Sequence, residues 1–464
     1  MAIQTINPYT NLPGKEFDEL TEEQIESKII SADTAYKSWR DTPVKERCAI
    51  LAKVAQLLQD KKDKLAKLIT EEMGKLISES RDEIDISSAI YKYYADNAES
   101  FLQDRQLEVE KGSAYIKYSP IGIILGVEPW NYPFYQVARL AAPNIAAGNV
   151  IMIKHASIVP QCAQAIEDIF KEAGAPEGVY TNLFVSGKNI SRLADDKRIK
   201  GLSLTGSEDA GSSLAEAAGK NLKKSVLELG GNDPFIVLDD ADLDHAVKMA
   251  FAGRMKNMGQ SCTAAKRMIV DEKVADAFTE KLAEKVRNMR VGDPSEEDTE
   301  IGPLSSEDAA KKLNKQIQET IEQGAKVLLG GKRMDRAGAF VEPTILTDIK
   351  PGMTAYHEEL FGPVISIYKV KGEEEAVKLA NDSDFGLGGS VYSKDVARAE
   401  RVAHQIETGM VFINEPTSSS PELPFGGIKR SGYGRELSDL GIHEFVNKKL
   451  IRISGKGGSE RKTE

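Results

Sequence analysis

Ile121 to Val127 reads Ile-Gly-Ile-Ile-Leu-Gly-Val and runs through Glu128 into Pro129-Trp130-Asn131-Tyr132-Pro133. A short apolar run closed by a proline-bracketed turn has the form of a strand buried on both faces. A second run, Val150-Ile151-Met152-Ile153, ends at Lys154, and a third closes at Leu204-Thr205-Gly206-Ser207. Between the runs lie helical stretches such as Pro160 to Ala173, opened by proline and stopped before Gly174. Strands alternating with helices in this way predict a doubly wound parallel sheet. A second series starts near Pro234-Phe235-Ile236-Val237-Leu238 and passes through Val364-Ile365-Ser366-Ile367 to Val411-Phe412-Ile413. The fold class expected is therefore α/β, with two Rossmann-like open parallel-sheet domains.

Toward the amino terminus, Thr21-Glu22-Glu23-Gln24 has the capping-box form, and Ile25, Ile29, Ala32 and Trp39 recur at helical spacing, so a helix is predicted from Glu22 to Arg40. Pro43 reads as the first residue of the next helix, whose apolar face includes Cys48. Lys111 to Tyr118 alternates polar and apolar residues, and Asn447 to Ile453 reads as a lone late strand. Gly455 to Glu464 is polar and glycine-rich, the composition of a frayed tail. A chain of 464 residues is too long for one core. No segment approaches a membrane span, and the start carries no secretory signal. Three cysteines, odd in number and widely spaced, argue against a disulfide framework and for a cytoplasmic location. The net charge of −11 gives no attraction to nucleic acid or membranes.

Two residues carry the chemistry. Cys262 stands in Met258-Gly259-Gln260-Ser261-Cys262-Thr263, and Glu228 in Leu227-Glu228-Leu229-Gly230-Gly231. A thiolate attacks a carbonyl carbon, and a carboxylate pulls a proton from the water that later releases the acyl group. A lone cysteine among small residues is more often inert core, and a glutamate at a strand end more often a cap or surface group. What raises the pair above that reading is its company: the Trp130-Asn131 turn, Lys154, Gly206-Ser207, Glu359-Leu360-Phe361-Gly362-Pro363 and Pro424-Phe425-Gly426-Gly427-Ile428-Lys429.

In this order and spacing the set resembles the aldehyde dehydrogenase superfamily, from Asn7-Pro8-Tyr9-Thr10 to about Ile453. The resemblance implies a cofactor-binding domain from residues 1–103 and 121–230, a catalytic domain over 231–423, and a return segment at 424–440. It also implies a protruding oligomerisation sheet from 104–120 and 441–457, with 458–464 as tail. It makes Cys262 the nucleophile, Glu228 the base, and the Asn131 amide with the Cys262 N–H the donors to the oxyanion. Asn131 beside proline is otherwise an ordinary turn residue. Trp130, Glu359 and Phe361 fall at the nicotinamide end of the cofactor. Gly206 and Ser207 open a helix whose amides face its pyrophosphate, where the bland alternative is a plain N-cap.

Cofactor choice turns on Lys154-His155-Ala156-Ser157. Many relatives that prefer NAD carry a glutamate at the position of Ser157, and a neutral hydroxyl there leaves a 2′-phosphate acceptable, so NADP is expected with NAD possible. Lys154 supplies a cation for that phosphate. For the substrate, Arg139 is expected to reach the tunnel and hold a distal carboxylate, against the alternative of a salt bridge between domains. Ser420 lies in the loop where succinate semialdehyde dehydrogenases place a carboxylate-binding serine. The stretch Asn414 to Pro424 is similar to bacterial enzymes of that kind, so the expected reaction is oxidation of succinate semialdehyde. Alternatives are another short aldehyde, such as a glyceraldehyde phosphate or an aliphatic one, and a non-catalytic relative. Partners expected are the small aldehyde and a second copy of the chain, as homodimer or homotetramer. No metal is expected, because the five histidines lack ligand spacing.

Overall fold

A computed structural model describes residues 2–455. The predicted tail from 458 lies outside the described residues. A six-stranded sheet has the order Gly432–Tyr433, Lys224–Glu228, Ile199–Thr205, Ile123–Glu128, Val150–His155, Tyr180–Asn182. All its pairings are parallel except that of Gly432–Tyr433, which runs antiparallel along Lys224–Glu228. Val150 to Ile153 are fully buried because helices cover both faces, which is why the run carries no polar alternation. The helix Pro160–Glu172 begins on its proline, and Gly174 ends it with φ near +87°, open to glycine at no steric cost.

The chain winds outward from Ile123–Glu128 through Val150–His155 and Tyr180–Asn182. It then crosses to Ile199–Thr205 on the opposite side. Winding reverses between those two central strands, and a crevice opens beyond their carboxyl ends. The residues that follow the strands, Pro129 to Asn131 and Gly206 to Ser207, sit at that crevice.

Leaving Glu228 the chain enters a seven-stranded sheet at Pro234–Val237. Its order is Lys326–Leu329, Thr344–Thr347, Val364–Val370, Arg267–Asp271, Pro234–Val237, Ser390–Tyr392, Phe412–Ile413. Only Lys326–Leu329 pairs antiparallel. The α/β class with two open parallel sheets is thus as expected. A third, antiparallel sheet joins Val446–Ile453, Ser113–Pro120 and Arg105–Leu107.

Near the start, Thr21 Oγ1 accepts from the Gln24 amide at 3.3 Å and Gln24 Oε1 accepts from the Thr21 amide at 2.8 Å, the reciprocal capping the sequence predicts for Glu22–Trp39. The next helix, Val44–Asp60, starts one residue later than expected, with Pro43 as its cap and Cys48 buried. Among the described residues no helix is long and apolar enough to cross a membrane. Every residue of the helix Pro133–Ala147 is buried, so its polar members must find partners inside the protein.

Candidate active site

Cys262 lies between the helix Leu243–Met255 and the strand Arg267–Asp271, in a turn that three consecutive left-handed residues reverse. Asn257 and Met258 both have φ 52°, and Gly259 has φ 71°. A side chain on Gly259 would meet the Gly362 carbonyl oxygen at 2.3 Å, so that position requires glycine. Gly231 lets the opposite strand exit approach, since a Cβ there would fall 2.5 Å from the Cys262 carbonyl oxygen. The half-buried thiol and the buried Glu228 therefore line one cleft from opposite sheets.

That cleft, of about 680 Å³, is lined by Trp130, Asn131, Gly206, Ser207, Glu228, Cys262, Glu359 and Phe361 together. The rings of Trp130 and Phe361 meet edge-on, with centroids 5.8 Å apart. Ser207 caps the helix Glu208–Lys220, its hydroxyl accepting from the Ala210 amide at 3.4 Å, and the mouth of that helix faces the cleft. Lys154 stands near the end of the neighbouring strand Val150–His155 and Ser157 follows it, both outside the lining of the cleft. Lys154 is half-buried and, among the described residues, its ammonium makes no hydrogen bond or ion pair; Ser157 is exposed. His155, which faces the other way, donates to the Pro133 carbonyl at 2.8 Å, and burial pushes its imidazole down to about 4, so it is neutral.

Asn131 is held from below. Its Nδ2 donates to the Gln260 carbonyl at 3.0 Å, and Asn257 Nδ2 donates to the Asn131 carbonyl at 3.0 Å. The Asn257 amide donates to both carboxylate oxygens of Glu79, at 3.0 and 3.1 Å. Glu83 accepts from the Phe134 and Tyr135 amides at 2.8 and 3.3 Å, a carboxylate at a helix start where the macrodipole favours it. Fully buried Lys75 pairs with Glu83, and its ammonium lies 3.6 Å from the centre of the Tyr132 ring. These groups were missed in the sequence. Glu83 is buried and Glu79 half-buried on the helix Ile77–Phe101, and nothing local in the sequence marks either as facing inward.

Burial pushes the Cys262 thiol up to about 12. Arg139 and Lys266 oppose that rise, and Glu359 and Asp233 add to it. Burial also holds the Glu228 carboxyl well above the usual carboxylate range, with the Glu436 charge adding and Arg139 opposing. Among the described residues neither Glu228 oxygen has a hydrogen-bond partner. A buried acid with no internal partner, facing a cleft beside a thiol, is suited to hold or release a proton there.

Both residues expected to meet the substrate's carboxylate have partners within the protein. Arg139 is 1% exposed and already ion-paired, its Nε lying 2.7 Å from Glu436 Oε2 although bent away from hydrogen-bond geometry. The guanidinium is sandwiched by Phe425 and Tyr135, 4.2 and 4.8 Å from the ring centres, and its Nη1 points to the Tyr135 hydroxyl at 3.3 Å. A guanidinium free to grip a carboxylate with both arms is not what the structure contains, because a buried cation needs its counterion. Ser420, half-buried, donates to the Glu422 carboxylate. Its neighbour Ser419 meets the Tyr135 hydroxyl at 2.5 Å.

A thiol, a buried carboxyl and a side-chain amide thus line one cleft at a strand-reversal crevice, where a nucleophile, a proton carrier and a hydrogen-bond donor can meet one ligand. The chain matches the aldehyde dehydrogenase family over residues 1–451 and belongs to it. It is 51% identical to a succinate-semialdehyde dehydrogenase [NADP(+)] of Deinococcus radiodurans, over 97% of this chain and 94% of that one. It is 46% identical to a probable succinate-semialdehyde dehydrogenase [NADP(+)] of a Synechocystis strain, over 98% and 100%. The crystal structure of succinic semialdehyde dehydrogenase from Streptococcus pyogenes in complex with NADP+ superposes with a TM-score of 0.96 at 48% identity, covering 97% and 99%.

Proposed function

We propose that this chain oxidises succinate semialdehyde to succinate with NADP, and that Cys262, Asn131 and Glu228 carry the reaction. The observation that carries the reading is their convergence on one cleft with the mouth of the Glu208–Lys220 helix. The cofactor fits what is present: the start of the Glu208–Lys220 helix with Ser207 suits a pyrophosphate, Glu359 a ribose, and the Lys154 ammonium, unpartnered among the described residues, with Ser157 a 2′-phosphate. NADP, when bound, supplies the hydride acceptor.

The chain's own residues do the rest. Cys262 as thiolate adds to the aldehyde carbon, forming the C–S bond while the carbonyl oxygen becomes an oxyanion. The Asn131 amide turns from the Gln260 carbonyl toward that oxygen, and the Cys262 N–H donates beside it. Once the adduct is oxidised to a thioester, Glu228 takes a proton from water, which attacks the acyl carbon and returns the thiol. The distal carboxylate falls to the hydroxyls of Tyr135 and Ser419, with Arg139 behind them as the buried cation and Glu436 as its counter-charge.

In the same reading the six-stranded sheet carries the cofactor and the seven-stranded sheet the thiol, with Gly432–Tyr433 returning to the first. The three-stranded sheet, with Leu450 and Ile453 exposed, serves assembly into a dimer or tetramer. Three free cysteines suit the cytoplasm. The test is NADPH formation with succinate semialdehyde against a panel including a glyceraldehyde phosphate and unbranched aliphatic aldehydes. Succinate semialdehyde should give the highest kcat/KM, and preference for an uncharged aldehyde would overturn the substrate.

A further inference from the structure

Lys266 stands at the entry to the strand Arg267–Asp271 and is 3% exposed. Its ammonium spends its donors on three oxygens: the Ser261 carbonyl at 2.9 Å, the Cys262 carbonyl at 2.7 Å and Glu359 Oε1 at 2.9 Å. The side chain therefore bridges the thiol turn to a carboxylate that also lines the cleft and accepts from the Gly231 amide at 3.2 Å. No water competes for an ammonium so buried, so the charge that Cys262 feels depends on its counterions.

The charged and titratable groups around Cys262 come from several elements. Arg139 and Lys266 are the cations, Glu228, Glu359 and Asp233 the acids, and Tyr132 and Tyr135 flank them. Most are fixed. Arg139 is held by Glu436, and Asp233 is buried with Oδ1 accepting from the Gly388 amide at 3.1 Å. Glu359, whose carboxylate is reachable from the cleft, is the member whose position a ligand can change.

We propose that Lys266 is a positioning residue that ties the Cys262 turn to Glu359, and that drawing Glu359 away, as contact with a bound ribose would, leaves the ammonium free to favour the Cys262 thiolate. The identity of that ribose rests on the reading given under Proposed function; the Lys266 linkage does not. The carboxylate on Lys266 then acts as a restraint on the thiol until the cofactor side of the cleft is filled. Attack on the aldehyde is thereby tied to the presence of the hydride acceptor's ribose.

The test reads thiol chemistry and needs no turnover. Alkylation of Cys262 by iodoacetamide, followed by peptide mass spectrometry in the whole enzyme at pH 8, reports its thiolate fraction. Glu359→Gln removes the counter-charge and should speed alkylation by about tenfold, the change expected for one pKa unit. Lys266→Met should slow it by a similar factor, and Lys266→Arg should restore most of the rate. NADP added to the wild type should raise the rate toward that of Glu359→Gln, and should not do so in Lys266→Met. A mere structural brace would make both neutralising variants move the same way, so the opposite signs are diagnostic. If Lys266→Met fails to fold, Glu359→Gln decides alone: an unchanged or slower rate there overturns the proposal. Failure to oxidise succinate semialdehyde would sink the substrate reading and leave these rates as predicted.

Discussion

Replacing Glu436 by Gln tests the electrostatics of the site at two levels. The carboxylate pairs with Arg139 at 2.7 Å, and both groups are buried. Removing one partner of such a pair leaves a desolvated guanidinium and typically costs about 3 to 5 kcal/mol, so Tm should fall by several degrees. The second effect concerns Glu228, whose carboxyl is raised by burial first and by the Glu436 charge next, with Arg139 opposing. Neutralising Glu436 removes a like charge and leaves Arg139 uncompensated. Both changes favour the ionised form of Glu228. Each 1.4 kcal/mol of such interaction removed corresponds to about one pH unit. A general base works when deprotonated, so activity rises with pH through its pKa, and the acid limb of kcat should move to lower pH in Glu436→Gln. The assay is a pH–kcat profile under conditions where thioester hydrolysis limits the rate, with thermal melts on the same samples. An acid limb that stays in place, or moves to higher pH, in a variant that still melts cooperatively would refute the reasoning.

The remaining predictions follow from the same site. Cys262→Ala should abolish turnover while NADP still protects the fold thermally. Glu228→Gln should permit a burst of NADPH and slow its steady release by about 10² to 10⁴; equal steady rates in either variant and wild type would remove that residue from the reaction. Because the Glu228 pKa is raised on folding, its stabilising contribution is full below the usual glutamate range and is lost as pH rises through the raised value. Glu228→Gln should accordingly melt higher than wild type at alkaline pH and not at pH 4. Ser157→Glu should shift the ratio of kcat/KM from NADP toward NAD, measured with both cofactors at fixed aldehyde. Tyr135→Phe and Ser419→Ala should each lower kcat/KM for succinate semialdehyde by about one to two orders of magnitude, from roughly 1.5 to 3 kcal/mol per contact with a charged group. The same variants should barely change the rate with a neutral aldehyde of equal length.

What the sequence made legible were features encoded in runs of neighbours. Val150 to Ile153 announced a doubly covered strand because every side chain there must be apolar, and Thr21 with Gln24 announced a helix start because the cap is built within one turn. Cys262, Glu228 and Asn131 drew notice for another reason: each stands in a stretch that also holds glycine or proline, and the ordered company of the other motifs set them apart from ordinary core and cap residues. The groups that set their electrostatics carry no such local signature. Arg139 could be read as inward-facing, yet its partner Glu436 lies far along the chain, in a stretch where a glutamate after Gly-Arg looks like surface. Ser419 and Ser420 are adjacent and identical in type, and only the backbone direction decides that one meets Tyr135 and the other Glu422.

Lys266 shows the limit most sharply. A lysine just before an apolar strand is ordinarily a solvated end, and here it is buried because two carbonyls of the Cys262 turn and one distant carboxylate together use its ammonium. Those carbonyls converge only because Asn257, Met258 and Gly259 all adopt left-handed backbone, and methionine gives no warning of that conformation. The strain held in that turn, of order 1 to 3 kcal/mol per non-glycine residue, needs compensation from its surroundings. The Asn257 amide bonds to Glu79 and the Lys266 bonds to the turn carbonyls supply it. The contacts that force the thiol turn into an unusual shape are thus the ones that place charge beside the thiol, so geometry and reactivity at Cys262 cannot be altered independently.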